Sequence, residues 1–438
     1  MLKGLINTKQ SKEKSISIFL KVIIVILILL SSCRLIQKTR QKTHIKRISN
    51  EVTKLSKSFI GFSVYDLEEN KHLIQINDEY YFTPASNTKI LTLATYLNLN
   101  LTNIPSFKYQ KENNQIHLIP LGDPTFLHPE FKTQPGYTSL TSLLTDSLIL
   151  HPPLTPIPHY GPGWSWDDYN YYFQLERSWL PIFGNRVDIQ PAMGSVTVSP
   201  SFFIPYINFE AVKKYRDPDY NIFNYPIKSL SQNKKNYTPF KVNNELIKKL
   251  LMDTIHTNVI LGPPKALGQG SLIQGPTVQP VLKKMMFESD NFLAEQLLIN
   301  AQRIEGYETQ KEYLQRLKSS LFVTLPDPLI WVDGSGLSVY NMNTPRNFVK
   351  TLEIIYNMIS WDEIKELFPN KFSDENIDGS FVYAKTGTLR HNQALSGYLV
   401  TRSGRKLAFS FLSNHYTVSP SKVRAETREL LIKIRDMF

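Results

Sequence analysis

The 438-residue chain carries, in this order, Ser86-Asn87-Thr88-Lys89, Ser289-Asp290-Asn291 and Lys385-Thr386-Gly387. Taken singly, each pattern is weak, because Ser11 and Ser231 also begin Ser-x-x-Lys stretches. The three motifs differ in their surroundings from these two chance matches, which we call decoys. The first motif opens a predicted apolar helix, the second follows a helix and the third ends a strand. Together they predict one site that combines a nucleophilic serine with two lysines.

The first stretch supplies a nucleophile and its base. A serine hydroxyl is a poor nucleophile at neutral pH and needs a base to take its proton. Ser86 and Lys89 stand three residues apart on a predicted helix, so their side chains share a face and can hydrogen-bond. Lys89 can be that base only when neutral; burial lowers the pKa of a lysine, and the charge of Lys385 would lower it further. Two backbone donors must hold the oxyanion, and we place them at the Ser86 N–H and at about Thr388.

The charge of the chain excludes nucleic acid as a partner. The formal net charge is +12, but residues 1–47 hold eleven basic residues against Glu13 alone. The remaining chain therefore carries only +2, which gives no basic surface of the kind that binds nucleic acid. The nine histidines show no metal-ligand spacing and no phosphate-binding glycine loop occurs, so we expect no metal and no cofactor.

The N-terminus has the pattern of an export signal. A basic leader precedes the apolar run Val22–Leu30, and Leu30-Ser31-Ser32-Cys33 follows at once. This ending resembles the lipobox of bacterial lipoproteins, which predicts a signal peptide over 1–33 and lipidation of Cys33. An uncleaved signal anchor that extends through Ile16–Leu20 is the alternative. We interpret residues 34–57 as a basic linker, either a tether near anionic lipid or a solvated segment.

Residue patterns beyond the leader predict mixed strands and helices. Ten of the 27 prolines fall between Pro105 and Pro162, which argues against long regular elements there. The aromatic run Trp164–Phe173 could be a sugar-stacking platform, but we expect core. The pattern predicts a strand hairpin first, then helices, and finally three strands and a helix: Ser58–Asp66, Lys71–Asn77, a helix from Ser86, Asn244–Thr257, Val281–Asn300, Ser380–Lys385, Ala394–Thr401, Lys406–Ser413 and Ser421–Met437.

The spacing of the motifs is uneven. The first two motifs are 203 residues apart and the last two are 96 apart, and composition shifts at about residue 105. We predict a catalytic domain formed by 58–105 and 240–438. The family resemblance given next implies that the residues between them, 106–239, form one or two inserted domains.

Further segments make the chain similar to the low-molecular-mass penicillin-binding proteins of the D-Ala-D-Ala carboxypeptidase/endopeptidase type, peptidase family S13. The likeness spans roughly residues 58–435. The segments that carry it, besides the three motifs, are Gly122-Asp123-Pro124, Gly163–Asp168, Lys283–Asn291, Asp333–Ser338, Ala384–Leu389 and Leu395–Tyr398. The block Asp333–Ser338 is typical of S13, and we expect it to shape the cleft rather than form a mere turn.

The resemblance implies a role for each matching catalytic residue. It implies that Ser86 is acylated by the penultimate D-Ala carbonyl and that the terminal D-Ala leaves. Lys89 would be the general base, and Ser289 would relay a proton to the leaving amine. Water would then hydrolyse the acyl-enzyme.

The resemblance also implies a set of substrate-binding residues. Asn291 would hold the substrate amide or Lys89, and Lys385 and Thr386 would bind the terminal carboxylate. Asp168 would touch the peptidoglycan side chain, and the third-motif strand adds Gly387 and Thr388. One position departs from the family: Arg often follows the Gly-Leu-Ser of the fourth block, whereas Val339 stands here.

These observations predict an α/β protein of the α+β type. It would be a serine β-lactamase/DD-transpeptidase-like domain, an antiparallel sheet flanked by helices, interrupted by a large inserted domain. The resemblance implies a serine-type D-Ala-D-Ala carboxypeptidase, with DD-endopeptidase activity also expected, that acts on peptidoglycan stem peptides ending in D-Ala-D-Ala.

The same resemblance implies β-lactam antibiotics as covalent inhibitors. It implies a place in the bacterial cell envelope, after export across the inner membrane to the periplasm, with a lipid anchor at Cys33. The rival functions are a serine β-lactamase or an esterase on the same scaffold, and a catalytically inactive peptidoglycan-binding lipoprotein. A β-lactamase would turn penicillin over, whereas a carboxypeptidase would stay acylated for longer.

Overall fold

The protein is described by a computed structural model, which covers residues 43, 45–52, 55–144, 147–192, 195–230, 236–266, 268, 270–372 and 380–438. The predicted signal peptide, Cys33 and the first part of the basic linker lie outside the described residues. Within these ranges, no helix combines the length and the apolar character that crossing a membrane requires.

The helices and strands follow one another along the chain in mixed order. The helices are α1 Lys89–Asn98, α2 Pro135–Leu143, α3 Asn244–Ile255, α4 Val278–Phe287, α5 Asn291–Ile304, α6 Gln310–Lys318, α7 Pro345–Met358, α8 Trp361–Leu367 and α9 Pro420–Met437. The strands are β1 Phe59–Asp66, β2 Lys71–Ile76, β3 Asn103–Glu112, β4 Gln115–Pro120, β5 Ser147–Leu150, β6 Arg186–Ala192, β7 Ser195–Ser199, β8 Ile207–Asn208, β9 Tyr215–Arg216, β10 Phe223–Asn224, β11 Tyr237–Pro239, β12 Asn258–Leu261, β13 Ser271–Thr277, β14 Asn370–Lys371, β15 Val382–Leu389, β16 Asn392–Val400 and β17 Lys406–Asn414.

A six-stranded antiparallel sheet joins the two ends of the chain, in the order β14-β15-β16-β17-β1-β2. Successive residues of a strand face opposite sides, and β17 shows this directly. Leu407 and Phe409 pack in one cluster with Leu431 of α9. Ala408 packs in the other cluster, with Leu352 of α7. The predicted α+β fold, an antiparallel sheet flanked by helices, is confirmed.

The end of the predicted linker is not a solvated segment. Residues 45–52 are helical, and Ile48 and Val52, four residues apart on one face, are buried in the cluster that contains Leu431 of α9. Glu51 also pairs with Lys433, with 2.6 Å between the carboxylate oxygen and the amine. The folded part therefore begins before residue 58, because these two apolar residues have a place in the core.

The inserted segment contributes sheets of its own. A five-stranded sheet has the order β12-β5-β4-β3-β13, and two three-stranded sheets have the orders β11-β6-β7 and β8-β10-β9. Strands β12 and β13 and helix α3 belong here, since Val259, Ile273 and Leu250 share one core with Leu118 of β4. We propose that the inserted domain extends to about Thr277, beyond the expected end at 239.

Two predicted elements differ from the structure. Strand β3 is ten residues long and includes Pro105, although prolines argued against long elements there. The register between β3 and β13 shifts at this position, and such an irregularity tolerates a residue without an N–H. The helix predicted over Val281–Asn300 is two helices, α4 and α5, because Ser289 between them has a φ of +56°.

Candidate active site

Ser86 lies in a tight turn at the start of α1. Residues Ala85–Thr88 form a 3₁₀ turn, which continues into α1 at Lys89. Side chains three residues apart are nearly eclipsed in a 3₁₀ helix, so the turn brings Ser86 and Lys89 to the same side. Ser86 is partly exposed, whereas its neighbours Ala85 and Asn87 are buried. The turn therefore presents one hydroxyl from an otherwise covered segment.

Glycine allows the turn to pack tightly against the fourth block. Gly336 has a φ of +83°, and a Cβ at this position would lie 1.9 Å from the carbonyl oxygen of Ala85. Ala85 itself has a φ of +48°, a conformation that residues with a Cβ rarely adopt. The Asp333–Ser338 block thus shapes the backbone of the serine turn by direct contact.

Lys89 makes three polar contacts and is completely buried. Its amine lies 3.0 Å from the Ser86 hydroxyl, 2.6 Å from Asn291 Oδ1 and 2.7 Å from the carbonyl oxygen of Ser335. A neutral amine keeps two N–H donors and one lone pair. Asn291 and Ser335 can accept the two donors, which leaves the lone pair for the proton of Ser86. The arrangement therefore fits a general base.

Burial lowers the pKa of Lys89 to about 8, and the negative charges of Asp333, Asp290 and Glu295 oppose this shift. Burial is the largest effect on the pKa of Lys89. The positive charge of Lys89 in turn lowers the pKa of Lys385, and repulsion between two cations is mutual.

Lys385 binds the serine of the second motif. Its amine donates to the Ser289 hydroxyl and to the carbonyl oxygen of Thr386, both at 2.8 Å. The side chain is 1% exposed. Burial holds the pKa of Lys385 well below its usual range, and the positive charges of Lys89 and Lys371 lower it further. An anionic group of a substrate would reverse this effect, so the position fits a carboxylate site.

The break between α4 and α5 positions the second motif. The Asp290 side chain accepts a hydrogen bond from the backbone N–H of Leu293, at 2.9 Å, and so caps α5. Asn291 is then the first residue of the helix, and its Nδ2 donates to the carbonyl oxygen of Phe173 at 2.9 Å. Among the described residues, no hydrogen bond links Ser289 directly to Ser86.

The third-motif strand lies against the serine turn. A Cβ on Gly387 would lie 3.0 Å from the backbone nitrogen of Ser86, so glycine permits this approach. Asn87 fixes the strand, because its Nδ2 donates to the carbonyl oxygen of Lys385 at 2.8 Å. Thr386 is partly buried and Thr388 is exposed. The strand therefore runs beside the serine, as an oxyanion site between the turn and β15 requires.

The inserted segment reaches the site through its aromatic run. Trp164 Nε1 donates to the buried carboxylate of Asp333 at 2.9 Å, and Phe173 accepts from Asn291. The expectation that this run is core is wrong for much of it, since Trp166, Tyr171 and Tyr172 are 84%, 54% and 51% exposed. Trp164 and Phe173 of this loop contact Asp333 and Asn291, while the three exposed rings point to solvent.

Asp168 lies on this same loop, in the short turn Trp166–Asn170, and is partly exposed. Burial and the charge of Asp167 raise its pKa. No hydrogen bond or ion pair within the described ranges joins its side chain to Ser86, Lys89 or Lys385. Asp168 therefore lies on the loop whose other residues contact Asp333 and Asn291, without a direct bond to the serine or the two lysines.

Two site residues were missed in the sequence analysis. Glu295 accepts the backbone N–H of Ser335 at 2.7 Å, and Arg177 donates to its other oxygen at 3.3 Å. Both side chains are 2% exposed. Burial and the charge of Asp333 raise the pKa of Glu295 to about 7. A signal existed for Glu295, since it stands four residues after Asn291 and therefore on the same face of the helix.

The decoy patterns do not enter the site where the structure describes them. Arg402-Ser403-Gly404, which resembles the Lys-Thr-Gly motif, forms part of the turn between β16 and β17. Ser11 and Ser231 lie outside the described residues. Across the described ranges, no group of three or more His, Cys, Asp or Glu side chains is placed to hold a metal ion.

Comparisons with known proteins agree with this geometry. The chain is 24% identical over 450 residues to the D-alanyl-D-alanine carboxypeptidase DacB of Haemophilus influenzae, a match that covers 87% of this chain and 90% of that protein. It is 29% identical over 189 residues to the carboxypeptidase Rv3627c of Mycobacterium tuberculosis, with 39% and 40% covered. The crystal structure of penicillin binding protein 4 (dacB) from Haemophilus influenzae has the same fold, with a TM-score of 0.64, 19% identity and coverage of 89% and 98%.

A family comparison covers the same part of the chain. The D-Ala-D-Ala carboxypeptidase 3 (S13) family matches residues 41–220 and 243–433, and these ranges include all three motifs and the Asp333–Ser338 block. The match spans most of the chain and both halves of the serine–lysine site. The chain therefore belongs to the D-Ala-D-Ala carboxypeptidase 3 (S13) family.

Proposed function

We propose that Ser86 is the nucleophile with which this S13 enzyme, a serine-type D-Ala-D-Ala carboxypeptidase, cleaves peptidoglycan stem peptides. The observation that carries the proposal is the position of the buried Lys89 amine, 3.0 Å from the Ser86 hydroxyl and held by Asn291 and Ser335. A lysine with a pKa near 8 is neutral often enough at neutral pH to take a proton from serine.

The acylation step follows from these contacts. Neutral Lys89 takes the Ser86 proton as the oxygen attacks the penultimate D-Ala carbonyl. The backbone N–H groups of Ser86 and Thr388 hold the resulting oxyanion. The C–N bond then breaks, the proton that Lys89 took passes through Ser289 to the leaving nitrogen, and free D-Ala departs with Lys89 neutral again. Lys385 supports this relay, since it already donates to the Ser289 hydroxyl at 2.8 Å.

The substrate is held by groups around the serine. Lys385 and Thr386 bind the terminal carboxylate, and the negative charge of that group raises the lowered pKa of the Lys385 amine. Asn291 binds the substrate amide while it holds Lys89, and the Gly387–Thr388 backbone lies along the peptide. Asp168, on the exposed aromatic loop, contacts the side chain of the stem peptide.

Water then attacks the acyl-enzyme and releases the shortened peptide. The same chemistry applied to a cross-link that ends in a D-Ala carbonyl gives DD-endopeptidase activity. β-Lactam antibiotics acylate Ser86 and remain bound. In support, the penicillin binding protein 4 (dacB) of Haemophilus influenzae, which shares this fold with a TM-score of 0.58, has been solved in complex with a novel β-lactam.

We place the enzyme in the bacterial cell envelope, on the periplasmic side of the inner membrane, with a lipid anchor at Cys33. The support is the sequence pattern of leader, apolar run and Leu-Ser-Ser-Cys. A peptidoglycan substrate requires such a location. Labelling of the full chain with a radioactive fatty acid in a bacterial host tests the anchor; Cys33→Ser is expected to abolish the label.

Mass spectrometry after incubation with penicillin tests the mechanism. The test uses a shortened protein that begins after residue 33 and so keeps the helix 45–52. It is compared with the same protein carrying Ser86→Ala or, as a control, Ser231→Ala. We expect a stable adduct on the parent protein and on Ser231→Ala, no adduct on Ser86→Ala, and release of D-Ala from a stem pentapeptide. Hydrolysed penicillin without an adduct would indicate a β-lactamase, and intact penicillin without an adduct would indicate a binding protein.

A further inference from the structure

A cavity lies beside the segment that precedes the Asp333–Ser338 block. Its volume is about 550 Å³, which is within the roughly 300–1,000 Å³ of small-molecule sites. Its apolar wall is formed by prolines of the segment 156–162 and by Ile157, Ile299, Leu314 and Trp331. Trp331 and Val332 of the wall directly precede Asp333, so the cavity adjoins the block that shapes the serine turn.

Two charged side chains in the lining indicate what kind of ligand would fit. Lys318 is partly buried, burial lowers its pKa, and it makes no ion pair or hydrogen bond with another described residue. A half-buried ammonium without a counter-charge favours an anion. Glu308 also lines the cavity, and its buried Oε2 has no hydrogen-bond partner among the described residues. That oxygen favours an N–H or O–H donor.

A chain of polar contacts leads from the cavity to the catalytic lysine. Arg177 lines the cavity, donates to Gln310 Oε1 at 2.8 Å and pairs with Glu295 at 3.3 Å. Glu295 accepts the Ser335 N–H at 2.7 Å, and the Ser335 carbonyl accepts from Lys89 at 2.7 Å. Every side chain in this chain except Gln310 is at least nine-tenths buried. A ligand that moves Arg177 would therefore act on the base.

We propose that this cavity is a second ligand site, for a small molecule with an apolar body, one anionic group and one N–H or O–H donor. Its occupancy is transmitted to Lys89 through Arg177, Glu295 and Ser335. The apolar walls take the body of the ligand, Lys318 takes the anion and Glu308 takes the donor.

Anilinonaphthalene sulfonate is a suitable probe, because it combines apolar rings, a sulfonate and an amine N–H, and fluoresces when buried. Titration of the protein is expected to show one saturable site that persists after penicillin has acylated Ser86. Lys318→Gln is expected to weaken binding about tenfold, the effect of losing one charge-assisted hydrogen bond. Gln315→Trp, at an exposed position of the lining, is expected to block the site.

The matched control is Lys213→Gln, an exposed lysine of the inserted domain, which should bind like the parent protein. Equal binding of the probe by all variants, or displacement of the probe by penicillin, would overturn the proposal of a second ligand site. The second readout is the rate of acylation by penicillin, expected to change about fivefold at saturating probe in the parent protein but not in Gln315→Trp, whose site is blocked. Equal rates with and without probe would overturn the transmission. A protein that penicillin never acylates would contradict the proposed function, while the titration would still report on the cavity.

Discussion

The chemistry of the site depends on how neighbouring residues set the pKa and the orientation of the Lys89 amine. Lys89 is buried among acceptors, and its pKa near 8 results from burial against the charges of three carboxylates. The Ser335 carbonyl and Asn291 fix the direction of its lone pair. The serine turn that faces it depends on Gly336, whose missing Cβ leaves room for the Ala85 carbonyl.

Gly336→Ala is therefore expected to disrupt acylation. The new Cβ would lie 1.9 Å from the Ala85 carbonyl oxygen, a severe steric clash. It would also add about 1–2 kcal/mol of backbone strain, because the φ of residue 336 is +83°. We expect the rate of acylation by penicillin to fall at least about tenfold, since the turn that carries Ser86 must shift. Stopped-flow measurement with a fluorescent penicillin checks this.

Gly306→Ala is the matched control for that variant. Gly306 has a φ of +82°, and nothing lies within 4 Å of the Cβ it would gain, so only backbone strain is introduced. Its acylation rate should equal that of the parent protein, although a similar backbone strain lowers its free energy of unfolding. If both variants acylate at the parental rate, the contact between Gly336 and the serine turn has no catalytic role.

At the scale of elements, the start of α5 sets both the position of Asn291 and the charge around Lys89. Asp290 caps the helix through the Leu293 N–H, and its negative charge raises the pKa of Lys89. These two effects can be separated, because asparagine caps a helix about as well as aspartate but carries no charge.

Asp290→Asn is expected to shift the pH profile of acylation. General-base catalysis needs neutral Lys89, so the rate rises as the pH increases through about 8, the pKa of Lys89. Without the carboxylate that favours the ammonium, this pKa falls and the midpoint of the profile moves to lower pH. Acylation rates between pH 6 and pH 10 measure the midpoint. An unchanged or higher midpoint would contradict the assignment of Lys89 as the base.

Two further variants complete this experiment. Asp290→Ala also removes the cap, and we expect it to lose about 1 kcal/mol of stability that Asp290→Asn keeps. Asp253→Asn changes an exposed carboxylate on α3 and should leave both the midpoint and the stability as they are.

At the scale of the whole molecule, α5 links the proposed inserted domain to the rest of the chain. Side chains of this helix hydrogen-bond to the backbone of the inserted segment and of the start of β3: Gln296 to Ser178, Asn300 to Pro105 and Leu121, and Arg303 to Pro120. All three side chains are buried. Because Asn291 begins the same helix, the interface between the domains and the catalytic site share one rigid element.

Asn300→Ala is expected to destabilise this interface without changing the chemistry. It leaves the carbonyl groups of Pro105 and Leu121 and the hydroxyl of Tyr96 without their partner, at a cost of about 2–4 kcal/mol. Thermal unfolding should show a lower midpoint, while the pH midpoint of acylation stays the same. Asn258→Ala, at an exposed position of β12, is the control. A thermal midpoint equal to that of the parent protein would show that this contact does not hold the domains together.

Much of the fold could be predicted from local patterns. Alternation in β17, apolar spacing in α1 and the turn residues between β1 and β2 each act over a few residues, and these elements were found close to their expected ranges. The helix at 45–52 and the membership of β12 and β13 in the inserted sheet were missed. Both depend on partners more than a hundred residues away, which no local pattern records.

The sequence by itself determined the reaction class, because the spacing of Ser86 and Lys89 needs only one turn of helix to create a nucleophile and its base. Only the tertiary structure decided how that base is tuned. Glu295, which is buried and pairs with Arg177, adds a negative charge that raises the pKa of Lys89, and the pKa near 8 reflects burial that exists only when the chain is folded. Desolvation and Coulomb interaction depend on distance in space, and the sequence gives only distance along the chain.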